Sequence, residues 1–118
     1  MPPDADVIRV RHMVDACREA LSFCEGRSRA TLDADRMFAR ALVKSIEIVG
    51  EAASKVSAQT RSEMPSVPWP EIVTMRHRLT HTYFDIDLDI VWNTATRDLP
   101  PLLHLLSAWL TRHGEGDR

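Results

Sequence analysis

The chain has 118 residues, enough to close one hydrophobic core and too few for two. Apolar residues make up 44% and charged residues 27%, which excludes a disordered chain, and a formal charge of −2 excludes holding nucleic acid by net charge alone. A single domain over residues 1–118 is expected, and any nucleic-acid role would rest on a local basic patch.

From Ala5 to about Cys24, Val10, Met13, Val14, Cys17, Leu21 and Cys24 recur at three- and four-residue intervals with charged residues between them. This predicts an amphipathic helix, with Asp4 or Asp6 as its cap. Cys17 and Cys24 fall on its apolar face and are expected reduced rather than disulfide-bonded. Gly26 in EGRSRAT breaks the pattern. A second and longer helix is predicted from Thr31 or Asp33 to about Ala58, carrying Phe38, Leu42, Ile46, Val49, Ala53 and Val56. Gly50 inside it costs about 1 kcal/mol relative to alanine, which hints that another segment packs on the backbone there, the alternative being a tolerated surface glycine.

Pro65, Pro68 and Pro70 exclude a regular helix through MPSVPWPE but suit an ordered connection. Pro70 fits the first turn of a third helix bearing Ile72, Val73, Met75 and Leu79, with Trp69 anchoring its start. Asp87 or Asp89 is expected to cap a fourth helix that holds Val91, Ala95, Leu102, Leu105, Leu106 and Trp109. Pro100 and Pro101 require a kink or a break in it, so the count is four helices or five. No segment alternates strictly enough for a sheet, and the fold class is all-α.

The chain has no apolar leader region and no run of the roughly 18 apolar residues that a membrane span needs, so a cytoplasmic protein without membrane association is expected. Walker, GxGxxG, HExxH and GxSxG patterns are absent from the sequence, which removes support for several common enzyme classes. The positive charge is almost all arginine, with lysine only at Lys44 and Lys55, and arginine suits bidentate contact with phosphate. A biased genome explains that usage more simply.

The stretch RHRLTHTYFDID, Arg76 to Asp87, holds two of the five histidines and the one tyrosine. A histidine exchanges protons near neutral pH and an arginine stabilises charge developing on phosphate, so Arg76 and His81 suit phosphoryl transfer. Five residues of helix turn His81 about 140° away from Arg76, whereas Tyr83 returns to the arginine's side. The pair therefore shares a cleft only at a helix end, along an edge, or across two subunits. His77 and His81 are four apart and share a face, but no cysteine set or acidic ligand at a matching interval makes them a metal site. No metal and no cofactor is expected. Glu51, four residues after Glu47, is the carboxylate that would orient a histidine or hold an arginine, although a solvent-facing acid is the default. His12, His104 and His113 read as packing, boundary or terminal residues. Taken alone, an arginine and a histidine on a charged helix are weak evidence for catalysis.

The run R-H-R-L-T-H-T-Y from Arg76 to Tyr83 resembles the R-x4-6-H signature of HEPN domains and, more closely, the R-x4-H-x-Y form of HepT-like toxins, formerly the DUF86 family. IEIVGEAA, VPWPEIVTMRH, YFDIDLDIVW and DLPPLL resemble that family in order and approximate spacing, and together they cover most of the chain. The resemblance implies a HEPN-type antiparallel helical bundle of four to five helices.

It also implies a metal-independent endoribonuclease with Arg76 and His81 as catalytic residues, and His77, Arg78 and Glu51 in RNA-binding or supporting places. The implied partners are a second copy of the chain, an RNA substrate with tRNA among the candidates, and a nucleotidyltransferase antitoxin of the MNT type. Tyr83 matches the tyrosine that such an antitoxin modifies with AMP. The sequence has His77 where close relatives usually have asparagine. The alternative implied function is a non-catalytic HEPN scaffold that binds the nucleotidyltransferase or RNA.

Overall fold

The structure is a computed structural model describing residues 3–79 and 86–113, the side chain of Arg76 excepted. Among these residues it is helical, with α1 (Asp4–Cys24), α2 (Arg29–Ala34), α3 (Arg36–Ala53), α4 (Ala58–Ser62), α5 (Trp69–Val73), α6 (Met75–Leu79), α7 (Leu88–Asn93), a π-helical turn (Thr94–Asp98) and α8 (Leu99–Arg112). There is no β-sheet among them, as the absence of alternation predicts.

Side-chain pairs fix the direction of packing. At one end, Asp6 in the first turn of α1 accepts hydrogen bonds from the Ser57 backbone N–H and hydroxyl and from the Thr60 hydroxyl, just past the end of α3. Midway, the Ser45 hydroxyl donates to Glu19 at 3.3 Å. At the other end, the Arg27 guanidinium lies 5.1 Å over the Phe38 ring. As the α1 partner moves forward along the chain, the α3 partner moves back, so the two helices are antiparallel. Val10, Met13, Cys17 and Ala20 from α1 and Leu42, Ile46 and Val49 from α3 are completely buried between them and their neighbours.

The last turn of α8 returns to the same end as the start of α1. Trp109 donates its indole N–H to Glu63 at 2.9 Å, and His113 stands 3.1 Å from the same carboxylate, with ring centroids 4.4 Å from Trp109. His113 is thus part of a packed cluster rather than an ordinary terminal histidine. The hydrogen bond from Trp109 is the main influence holding the Glu63 carboxyl below its ordinary range.

Several boundaries differ from the sequence reading for local reasons. Neither Asp4 nor Asp6 is the cap of α1; Pro3 occupies that place, and Asp6 turns inward to hold the start of α4. Asp35 caps α3 by accepting from the Phe38 N–H, which separates α2 from α3. α3 ends at Ala53 rather than Ala58, because the carbonyls of Ala53 and Val56 are taken by the Arg61 side chain at 3.0 Å each and Ser57 starts α4.

The C-terminal segment is continuous through its two prolines. Pro100 and Pro101 have no N–H and their rings crowd the carbonyls four residues back. The helix widens there instead of breaking, and the Leu99 N–H reaches the carbonyl of Thr94, five residues earlier. Counted by long segments, the bundle is α1, α3, the α5–α6 pair, and the single irregular helix made by α7, the π turn and α8. No helix among the described residues is long and apolar enough to cross a membrane.

Candidate functional site

The charged stretch begins at Arg76 on α6, and the chain before it sets where α6 sits. Trp69 is buried, donates its indole N–H to the Met64 carbonyl at 3.2 Å and lies 5.4 Å beneath the Arg61 guanidinium. Pro70 follows in the first turn of α5. The predicted third helix is interrupted at Thr74, whose hydroxyl donates to the Pro70 carbonyl at 2.9 Å and draws the backbone out of helical line. α6 then begins at Met75.

α5 lies directly on Gly50. A Cβ at that position would stand 3.0 Å from the Ile72 carbonyl oxygen and 3.7 Å from that of Val73. Only a residue without a side chain lets the α5 backbone come this near, which is the close approach that Gly50 in IEIVGEAA suggests.

Met75 and Leu79, four apart, are buried on the inner face of α6, while His77 and Arg78 are exposed. Arg76 lies in α6, and only its backbone is described. His81 and Tyr83 lie outside the described residues. The described residues on either side of them are bound to one another: the Asp87 N–H donates to the Leu79 carbonyl at 2.7 Å. The Asp87 carboxylate also accepts from the backbone N–H groups of Asp89 and Ile90, capping α7 as expected. Arg29 of α2 bonds Asp89 at 2.7 Å and Asp33 at 3.0 Å, so the start of α7 is held from outside as well.

Beside α6 is a groove of about 380 Å³ between the α5–α6 pair and the start of α8. Its floor is apolar, with Ile72, Met75 and Leu102. Arg78 lines it from α6 and Arg97 from the π turn, and Glu71 and Asp98 also line it. Arg97 was not among the residues singled out from sequence. Its signal was its place just before Leu99-Pro100-Pro101, where the missing proline N–H groups distort the helix next to the charged stretch.

The other expected site residues are not brought into that groove. Glu51 is exposed, pairs with Lys55 at 3.6 Å, and lines a separate shallow depression with Lys44, Glu47 and Ile48, all on α3. His77 does not line the groove either, although it sits on the same short helix as Arg78. His12 lines a third depression with Asp15, Glu19 and Ile48. Cys17 is fully buried and Cys24 partly so; both are free thiols, and burial pushes Cys17 up to about 12, so it is not a nucleophile at neutral pH. Among the described residues, no three metal-ligating side chains of the His, Cys, Asp or Glu type stand together.

Comparison with known proteins gives one consistent answer. The model of the family described as "Ribonuclease HepT-like" matches residues 13–108. A proposed RNase of Caldanaerobacter subterraneus is 33% identical over 93 residues, which are 79% of this chain and 83% of that protein. A proposed RNase of Methanocaldococcus jannaschii is 35% identical over 68 residues, 58% of this chain and 62% of its own length. A proposed ribonuclease HepT of Thermococcus cleftensis is 36% identical over 62 residues, 52% of this chain and 56% of its own. No solved structure gives a significant match.

Proposed function

The chain belongs to the ribonuclease HepT-like family, and from that premise we propose that residues 1–118 act as one HEPN domain that cleaves RNA without a metal, through Arg76 and His81. The observation that carries the reading is the family match over residues 13–108, which takes in the whole stretch from Arg76 to Tyr83.

In the proposed reaction the His81 imidazole takes the proton of a ribose 2′-hydroxyl. The 2′-oxygen bonds to the adjacent phosphorus, and the bond from phosphorus to the 5′-oxygen breaks. Arg76 stabilises the extra negative charge on the phosphorane, and the departing 5′-oxygen takes a proton. The products are a 2′,3′-cyclic phosphate and a 5′-hydroxyl. A dimer whose two copies share one cleft would let one imidazole act as base while the other supplies the proton. Exposed His77 and Arg78 would support RNA at the rim. Glu51 keeps only an outer supporting role, since its depression is formed by α3 alone.

The same reading makes the chain the toxin of a toxin-antitoxin pair in the cytoplasm. A nucleotidyltransferase antitoxin would add AMP to the Tyr83 hydroxyl, and the bulky anionic ester would repel and block RNA. Purified, unmodified protein, its Tyr83 state checked by intact mass, is expected to cleave total RNA or tRNA, and His81→Ala is expected not to. Equal cleavage by both proteins would remove His81 from the reaction. No cleavage of any RNA offered to the parent would favour a scaffold that binds the nucleotidyltransferase.

A further inference from the structure

We infer that the groove between α6 and the π turn is a nucleotide subsite, in which Arg78 and Arg97 hold the phosphate of a single-stranded residue flanking the one that is cleaved; this rests on the RNA-cleaving reading above.

Three observations carry it. First, the groove is lined from the helix that carries the reactive arginine: Arg78 reaches it from α6, on which Arg76 lies two residues earlier. Second, two guanidinium groups reach this groove from different elements, and among the described residues neither has an ion pair or a hydrogen-bonded side-chain partner. Arg27, Arg29 and Arg61, by contrast, are all engaged with carbonyls, carboxylates or aromatic rings. Planar cations left unpaired at a concave surface suit a phosphate, which they can hold in bidentate fashion. Third, about 380 Å³ lies at the small end of the range for small-ligand pockets, which suits one nucleotide rather than a docked helix, and the floor of Ile72, Met75 and Leu102 is the apolar surface that a base needs.

Glu71 and Asp98 line the same groove and repel phosphate, so they confine it to the arginines. Toward the base, a carboxylate accepts from an exocyclic amino group. The π turn explains how Arg97 comes to be there. The widened turn before Pro100 and Pro101 sets the register in which Thr94, Ala95 and Leu99 are buried while Arg97 and Asp98 are exposed. Such turns are frequent where a helix serves a binding site.

The test is binding of a fluorescent 2′-O-methyl RNA oligomer, which cannot be cleaved, measured by anisotropy across a salt series for the full chain and its variants. Arg97→Ala is expected to weaken binding roughly tenfold and to reduce the slope of log affinity against log salt by about 0.7, the loss of one phosphate contact on a single strand. Arg97→Lys should recover part of the affinity, while Arg112→Ala, which removes the same charge at the far end of α8, should stay within about twofold of the parent. On cleavable RNA, the Arg97→Ala loss should fall on KM more than on kcat. Unchanged affinity and slope in a cooperatively melting Arg97→Ala protein would overturn the subsite, and would leave the proposed reaction standing wherever His81→Ala abolishes cleavage. Conversely, reduced binding in Arg97→Ala together with full cleavage by His81→Ala would keep the subsite and remove the proposed reaction.

Discussion

The Ile72 carbonyl oxygen lies 3.0 Å from the point where a side chain on Gly50 would begin. That contact seats α5 on α3, and α6 follows directly after the break at Thr74. Alanine has the better helix propensity by about 1 kcal/mol, so an ordinary helical site would gain from Gly50→Ala. Here the obstacle is a backbone carbonyl, and overpacking of this kind costs about 1–3 kcal/mol. Gly50→Ala should therefore lower the melting temperature and reduce RNA cleavage. A variant that melts higher than the parent would show that α5 can retreat freely.

Asp6 is only 3% exposed, and its carboxylate is satisfied by Ser57 and Thr60. Burial raises its pKa, but the three hydrogen bonds outweigh burial and leave it below the ordinary aspartate value. A depressed folded-state pKa means that the stabilisation is present above the unfolded value of about 3.9 and is lost as pH falls through the lower folded value. Asp6→Asn should cost about 1.5–3 kcal/mol at pH 7 by denaturant titration, and the difference from the parent should narrow below about pH 4. A gap that stays constant down to acid would mean that the carboxylate's charge contributes nothing.

The sequence made the helical class, the apolar stripes and the meaning of Gly50 legible because each depends on periodicity or on one residue's special geometry. The breaks at Asp35 and Thr74 were not legible. Both arise from a side chain bonding nearby backbone, and aspartate or threonine at a helical position gives no sign of which alternative wins. The inward turn of Asp6 depends on Ser57 and Thr60, more than fifty residues away, and nothing local announces it. Pro100 and Pro101 signalled a distortion but not its kind, since a kink, a break and a π turn all relieve the same crowding. Arg97 was missed for that reason: an ideal helix gives no grounds for pairing it with Arg78 across a groove. Arg76, His81 and Tyr83 were singled out by their spacing and its resemblance to a family, and their roles remain part of the proposal.

Asp87 joins two jobs at the downstream side of the charged stretch. Its backbone N–H holds the Leu79 carbonyl at 2.7 Å, and its side chain caps α7. Asp87→Ala keeps the first bond and removes the second, a loss of about 1 kcal/mol for a helix cap. It should lower the melting temperature modestly and depress cleavage beyond what the lost stability explains, because the start of α7 would fray just after the stretch that carries the proposed reactive residues. Asp87→Asn, a comparable cap, should restore both. Failure of asparagine to restore stability would show that capping is not the main contribution of Asp87.

The roles of Arg76, His81 and Tyr83 separate in their variants. Arg76→Ala and His81→Ala should each melt cooperatively near the parent temperature and cleave RNA at least a hundredfold more slowly, the lower range for loss of a general acid or base or of an electrostatic stabiliser. Loss of cooperative melting in either would make that residue structural. Tyr83→Phe removes one hydroxyl and should leave most of the cleavage intact, because no step of the proposed reaction uses the phenol. Its defect should appear only with the nucleotidyltransferase present, when the parent gains the mass of AMP and falls silent while the variant keeps its mass and its activity. Addition of AMP to Tyr83→Phe would place the acceptor elsewhere and separate the switch from the R-x4-H-x-Y stretch.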